Sequence, residues 1–150
     1  MQFLDPALDA YCEAHSGNEP SYLKELTAET QEKVHMPQML SGHLQGRFLA
    51  MLSHLVKPKI IVEIGTFTGY SALCLAEGLA EGGMLHTIDI DPNLPEMVDR
   101  YIGKAGMQDR INMHHRPCLL YTSDAADERS RGDLGGRRTN KKKNKKQKTR

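Results

Sequence analysis

Apolar residues along this chain follow two periodicities in succession, and the change from one to the other predicts the fold class. Asp5-Pro6 has the form of a helix start, with aspartate as N-cap and proline in the first helical position. Leu8, Tyr11, Cys12 and His15 then share one face at helical spacing, and Ser16-Gly17-Asn18 ends that helix. Ser21 to about Val34 predicts a second helix, with Leu23 and Leu26 inward and Glu25, Glu29, Glu32 and Lys33 solvated. From Gln38 to Val56, the residues Leu40, Leu44, Phe48, Leu52 and Leu55 keep the i, i+4, i+8 rhythm of a buried helix face. Gly42 and Gly46 lie one turn apart and permit close approach, either of another backbone or of a ligand. Lys57-Pro58-Lys59 breaks the pattern.

Beyond that break the period shortens. Ile60–Ile64 is a short, continuous, β-branched run, the signature of a parallel strand buried on both faces. A loop with Gly65 and Gly69 follows, then a predicted helix from Ser71 to about Glu81 that stops at Gly82-Gly83. Met84–Ile90 reads as a second strand, about Glu96 to Lys104 as a helix with Met97, Val98 and Tyr101 inward, and Arg110–His114 as a third strand. Strand, helix, strand, helix, strand is half of a doubly wound α/β domain, a Rossmann-like parallel sheet with flanking helices. From Thr122 onward the only apolar residues are Ala125, Ala126 and Leu134, and no period survives. Such a composition cannot bury enough surface to offset the entropy of ordering, so a disordered tail is expected there.

Charge sharpens this division. Residues 1–117 carry 9 Lys+Arg and 15 Asp+Glu, a net −6, whereas residues 118–150 carry 11 and 4, a net +7. The length of 150 residues allows one domain at most. Three unclustered cysteines, Cys12, Cys74 and Cys118, indicate neither a disulfide framework nor a zinc site. Lacking an apolar run of membrane-spanning length or a basic-then-apolar leader, the chain is expected to be soluble and cytoplasmic. His15 and His35 are lone histidines, while His114 and His115, adjacent in a strand, face opposite sides and do not readily chelate one metal.

The candidate chemistry sits where strand meets helix. A strand that stops at Gly65 and turns at once into a helix leaves free backbone N–H groups, with no side chain to block a ligand laid across the strand's carboxyl end. Glu63, inside an otherwise apolar strand end, is a carboxylate seldom placed for packing alone. Asp89, about 20 residues beyond the glycine loop, is placed to accept hydrogen bonds from both ribose hydroxyls of a nucleoside, since its two oxygens can engage two adjacent donors. Asp91 suits a turn or cap better. Phe67 stands where a nicotinamide-type G-x-G-x-x-G would need glycine, which counts against the competing oxidoreductase reading.

Val62-Glu-Ile-Gly-Thr-Phe-Thr-Gly-Tyr-Ser71 resembles the first motif of the S-adenosylmethionine-dependent O-methyltransferases of the catechol and caffeoyl-CoA type, and the similarity runs from about Glu19 to Pro117. The resemblance implies that Ser41 supplies a cofactor-contacting hydroxyl and that Glu63 meets the methionine amino end. Gly65 and Thr66 would line the cofactor by backbone, and Gly69 would bind it from the same loop. Ser71 would bind the carboxylate at a helix start, and Asp89 would hold the ribose. It implies a small-molecule substrate with a catechol-like or phenylpropanoid hydroxyl, a hydroxylated RNA base being the alternative within the fold, and an intact parent that forms a homodimer. It also implies a divalent metal, usually Mg²⁺, held by two aspartates and an asparagine after a fourth and fifth strand, neither of which is expected here.

A second resemblance concerns the tail. Cys118-Leu-Leu-Tyr-Thr-Ser-Asp-Ala-Ala-Asp-Glu128 resembles the conceptual translation of a transposon-end sequencing adapter, and the lysine run resembles A-rich read-through. On this reading 1–117 is a partial, cofactor-binding methyltransferase domain, 118–150 is non-native, and nucleic-acid binding by the basic tail is not expected.

Overall fold

The computed structural model describes residues 5–117. The tail expected over 118–150 lies outside the described residues. Helices α1 (Pro6–Ala14), α2 (Ser21–Lys33) and α3 (Gly42–Val56) precede the alternating part, β1 (Ile60–Ile64), α4 (Tyr70–Ala76), β2 (Met84–Asp89), α5 (Pro95–Lys104) and β3 (Ile111–His115). The three strands form one parallel sheet in the order β1-β2-β3. Helical connections enforce this arrangement, because parallel neighbours need a crossover.

Register decides what each face carries. Ile61 pairs with Leu85, Leu85 with Ile111, and Glu63 with Thr87, so these side chains share one face. That face packs on Leu23, Leu26, Leu73, Ala76, Val98 and Tyr101, all buried. On the other face Ile60 and Ile64 are 68% and 71% exposed. The expectation of a strand buried on both faces is therefore met on one face only, the face on which α4 and α5 pack.

Several helical expectations need correction. In α1 Asp5 does cap the helix, accepting from the Ala7 N–H at 2.8 Å, but no residue of the helix is buried. Tyr11 lies 60% exposed and stacks on His15, so the apolar stripe faces out. The expected single helix from Gln38 is instead a 3₁₀ turn at Pro37–Met39, an extended Leu40, and then α3.

The buried face of α3 is Gly46, Ala50 and Ser53, while Phe48 and Leu55 are exposed. Close packing against α4 selects those small residues. A Cβ on Gly46 would lie 2.6 Å from Tyr70 Cε1, and the Ser53 hydroxyl donates to the Leu75 carbonyl at 2.6 Å. Helix packing thus accounts for Gly46. Further along, α4 ends at Ala76 rather than near Glu81: the Ala80 N–H donates to the Pro58 carbonyl at 3.0 Å instead of back into the helix, and Gly78 passes so close to Ser53 and His54 that a Cβ there would lie 2.2 Å from backbone atoms.

Glu29 is the last of these corrections. Expected to be solvated, its side chain is only 15% exposed and joins α2 to α5. It accepts from Tyr101 Oη and Arg100 Nη2, both at 2.7 Å, and from Lys33 Nζ at 3.3 Å. The Tyr101 and Arg100 donors hold its pKa down at about 2.

Candidate ligand site at the carboxyl ends of the strands

The site begins where β1 runs out. The Gly65 N–H still donates to the Ile88 carbonyl at 2.9 Å, and the chain then turns sharply, with Gly65 at φ +91°, Phe67 at +49° and Gly69 at +89°. The two glycines do different work. A Cβ on Gly65 would meet nothing within 4 Å, so this position opens toward solvent and ligand. One on Gly69 would press on Val98 Cγ1 at 3.3 Å, so this glycine lets the loop pack on α5.

Asp89, the last residue of β2, anchors the loop from the other side. Its Oδ2 accepts from the Phe67 N–H at 2.7 Å, while Oδ1 accepts from Ile90 N–H at 2.7 Å and Asp91 N–H at 3.0 Å. Partial burial opposes ionisation, but the backbone donors of Asp91, Phe67 and Ile90 outweigh it and hold the carboxyl below its ordinary range. With one bond taken, Oδ2 keeps a lone pair for a ligand donor. Asp91 has the turn role expected of it, its Oδ1 accepting from both Asn93 N and Asn93 Nδ2 at 2.9 Å.

Glu63 lies one layer back. Its Oε1 accepts from the Ser71 hydroxyl and its Oε2 from the Thr87 hydroxyl, each at 2.6 Å. Since Thr87 commits its proton to Glu63, the 2.5 Å contact between Thr66 and Thr87 hydroxyls has Thr66 as donor. Burial raises the Glu63 pKa, and the hydroxyls of Ser71 and Thr87 only partly offset this.

These groups surround a cavity of about 720 Å³, within the size range of small-molecule sites. Of the residues predicted for the site, Ser41, Gly65, Thr66, Ser71 and Asp89 line it. Glu63 and Gly69 do not, the former acting behind Ser71 and Thr87, the latter packed under Val98. Phe67, Tyr70, Met36, Met39, Leu94 and Met97 add apolar and aromatic wall, with Lys33, His35 and Asp91 also among the lining residues; of the apolar ones only Met39 lies in the stretch before β1 that the family resemblance sets over the cofactor. Phe67 and Tyr70 stand inside the quoted motif. Met36 and Met97 carry no signal beyond ordinary core preference. Among the described residues no three His, Cys, Asp or Glu side chains converge.

Comparison with known proteins agrees with this geometry. Residues 13–134 match a family described as O-methyltransferase, a span that runs past Pro117 into the segment of suspected adapter origin. The chain is 41% identical over 95 residues to a caffeoyl-CoA O-methyltransferase of Populus kitakamiensis, covering 63% of this chain and 40% of that one. It is 28% identical over 115 residues to a catechol O-methyltransferase of Mycobacterium tuberculosis, covering 76% and 51%. The chain thus spans about half the length of the curated relatives it matches.

Among solved structures, the SAH-bound methyltransferase PaMTH1 of Podospora anserina superposes with a TM-score of 0.71 at 28% identity, covering 83% of this chain and 55% of that one. An O-methyltransferase of Bacillus cereus in complex with SAH gives 0.71 at 26% identity, covering 81% and 55%. The parallel β1-β2-β3 sheet is therefore part of a class I methyltransferase fold. With the glycine turn, the acid closing β2 and the family match all on the same stretch of sequence, the chain belongs to the O-methyltransferase family.

Proposed function

We propose that this chain is the cofactor-binding half of an S-adenosylmethionine-dependent O-methyltransferase. One observation carries the reading: Ser41, Gly65, Ser71 and Asp89, from four separate segments, converge on a single cavity at the carboxyl ends of β1 and β2. Support also comes from relatives whose structures hold SAH. When bound, S-adenosylmethionine supplies a methyl group made electrophilic by the adjacent sulfonium.

The chain's own residues hold and orient that molecule. Asp89 accepts from one ribose hydroxyl through the free lone pair on Oδ2, the other oxygen being taken by backbone donors that also secure its ionised state. Because the Ser71 proton goes to Glu63, the Ser71 oxygen is left as an acceptor, suited to the amino end of the methionine moiety. The carboxylate end is served instead by N–H groups of the first turn of α4, which have no intrahelical partner. Glu63 and Asp89 give the site a negative field that favours a cationic ligand.

The methyl acceptor in this reading is a hydroxyl of a small catechol-like or phenylpropanoid molecule, on the strength of the relatives' names. The described residues offer no convergent set for Mg²⁺, so no step is assigned to it. The exposed outer face of β1 and the length of the relatives support a partial domain over 1–117, with the remainder of an intact parent covering that face.

Calorimetric titration with SAH and with NAD tests the proposal. SAH should bind and NAD should not. A folded chain that ignores SAH, or prefers NAD, overturns it.

A further inference from the structure

Tyr70 is the first residue of α4 and one wall of the cavity, and its ring is 2% exposed. The ring edge fits the notch that Gly46 leaves on α3, where even a methyl group would sit 2.6 Å from Cε1. Its hydroxyl donates to Glu19 Oε1 at 2.5 Å, spanning 51 residues of sequence. Glu19 lies in the connection between α1 and α2, and α2 leads on to Met36, Met39 and Ser41, which line the same cavity. One side chain therefore joins the segment feeding one part of the lining to the helix start that forms another.

The bond is built to persist. Burial and the facing carboxylate both raise the phenol's pKa, so Tyr70 remains a donor at any ordinary pH. A phenol-to-carboxylate bond belongs to the stronger, charge-assisted class. A second tie, Thr30 Oγ1 to Thr68 Oγ1 at 3.2 Å, is neutral and longer and holds α2 to the same loop farther along.

We propose that Tyr70 and Glu19 act as one positioning unit, a tether that holds the Gly65–Ser71 turn and the Met36–Ser41 wall at the separation a nucleoside ligand requires. This rests on the reading of the cavity as an S-adenosylmethionine site. The hydroxyl of Tyr70 is spent on Glu19, so it acts on the ligand only through the geometry it maintains.

SAH affinity, measured by calorimetry on the full chain, tests this in Tyr70→Phe, Glu19→Ala, Glu19→Gln and the double variant Tyr70→Phe/Glu19→Ala. Each of the first two should weaken binding about tenfold, the scale set by losing one charge-assisted bond. The double variant should be no weaker than either single one, since both remove the same unit. Glu19→Gln, which keeps an acceptor oxygen, should recover part of the affinity.

Ile111→Val serves as control, because it loosens the core away from the cavity and should leave SAH affinity unchanged. Affinity in Tyr70→Phe equal to wild type overturns the tether and leaves the functional reading standing. So do independent, additive losses, or equal weakening in Ile111→Val. A wild-type chain that fails to bind SAH overturns both.

Discussion

Replacing Asp89 by asparagine keeps the side chain's size but removes its charge and turns one acceptor oxygen into an NH₂ donor. Oδ1 holds two backbone N–H groups and Oδ2 holds one, so the amide will orient to keep its oxygen at Ile90 and Asp91. Its NH₂ then faces the Phe67 N–H, and the tie from β2 to the glycine turn is lost. Two effects should follow. Fold stability falls by about 1–2 kcal/mol, because two bonds survive in neutral form.

Cofactor affinity falls further, since the same Oδ2 was to receive a ribose hydroxyl. Losing a charge-assisted bond is worth about 1.5–3 kcal/mol, roughly ten- to a hundredfold in dissociation constant. Urea denaturation reads the first effect, and calorimetric titration of SAH the second. Asp91→Asn is the internal control, because an amide oxygen can still accept from Asn93, and its SAH affinity should stay within about twofold of wild type. Asp89→Asn binding SAH as tightly as wild type would refute the ribose assignment. A larger loss in Asp91→Asn would transfer that role to Asp91.

Gly46→Ala should cost about 1–3 kcal/mol in urea denaturation, because the new methyl must displace the Tyr70 ring and Cys74 Sγ, 2.8 Å away. An unchanged midpoint would mean that α3 and α4 can part without penalty. Arg47 meets Glu77 through two bonds, of 2.6 and 3.0 Å, with both side chains largely covered. Arg47→Met should therefore lose about 3 kcal/mol by stranding the carboxylate, and Arg47→Met/Glu77→Leu should regain much of it; a double variant no more stable than the single one would count against that account.

Glu29 sets a pH dependence. Its folded pKa of about 2 lies below the ordinary 4.5, so its contribution is complete above pH 4.5 and disappears as the pH falls toward 2. Urea midpoints of Glu29→Gln should fall less steeply than wild type across that interval, and parallel curves would exclude Glu29 as a source of acid sensitivity.

The order of elements was legible from residue order alone, because period is a local property. A β-branched run ending at Gly65 can scarcely be anything but a strand, and once helices separate three such strands they must lie parallel. Asp5 as a cap was equally local.

Burial was not local. Hydropathy marks residues that gain from being covered, but whether a cover exists depends on distant parts of the chain. The Leu44–Phe48–Leu52 stripe of α3 looked like its core face, yet α4 comes close enough to exclude large side chains and takes the Gly46–Ala50–Ser53 face instead. Glu29 looked like a solvated carboxylate until α5 brought Tyr101 and Arg100 against it. The same limit held at the site. Sequence placed Asp89 beside the glycine turn, but only the fold showed that its oxygens brace that turn and that Glu63 works from behind Ser71 and Thr87. Hydrogen-bond partners are chosen by proximity in space, which the sheet register and helix packing create and which no run of neighbouring residues encodes.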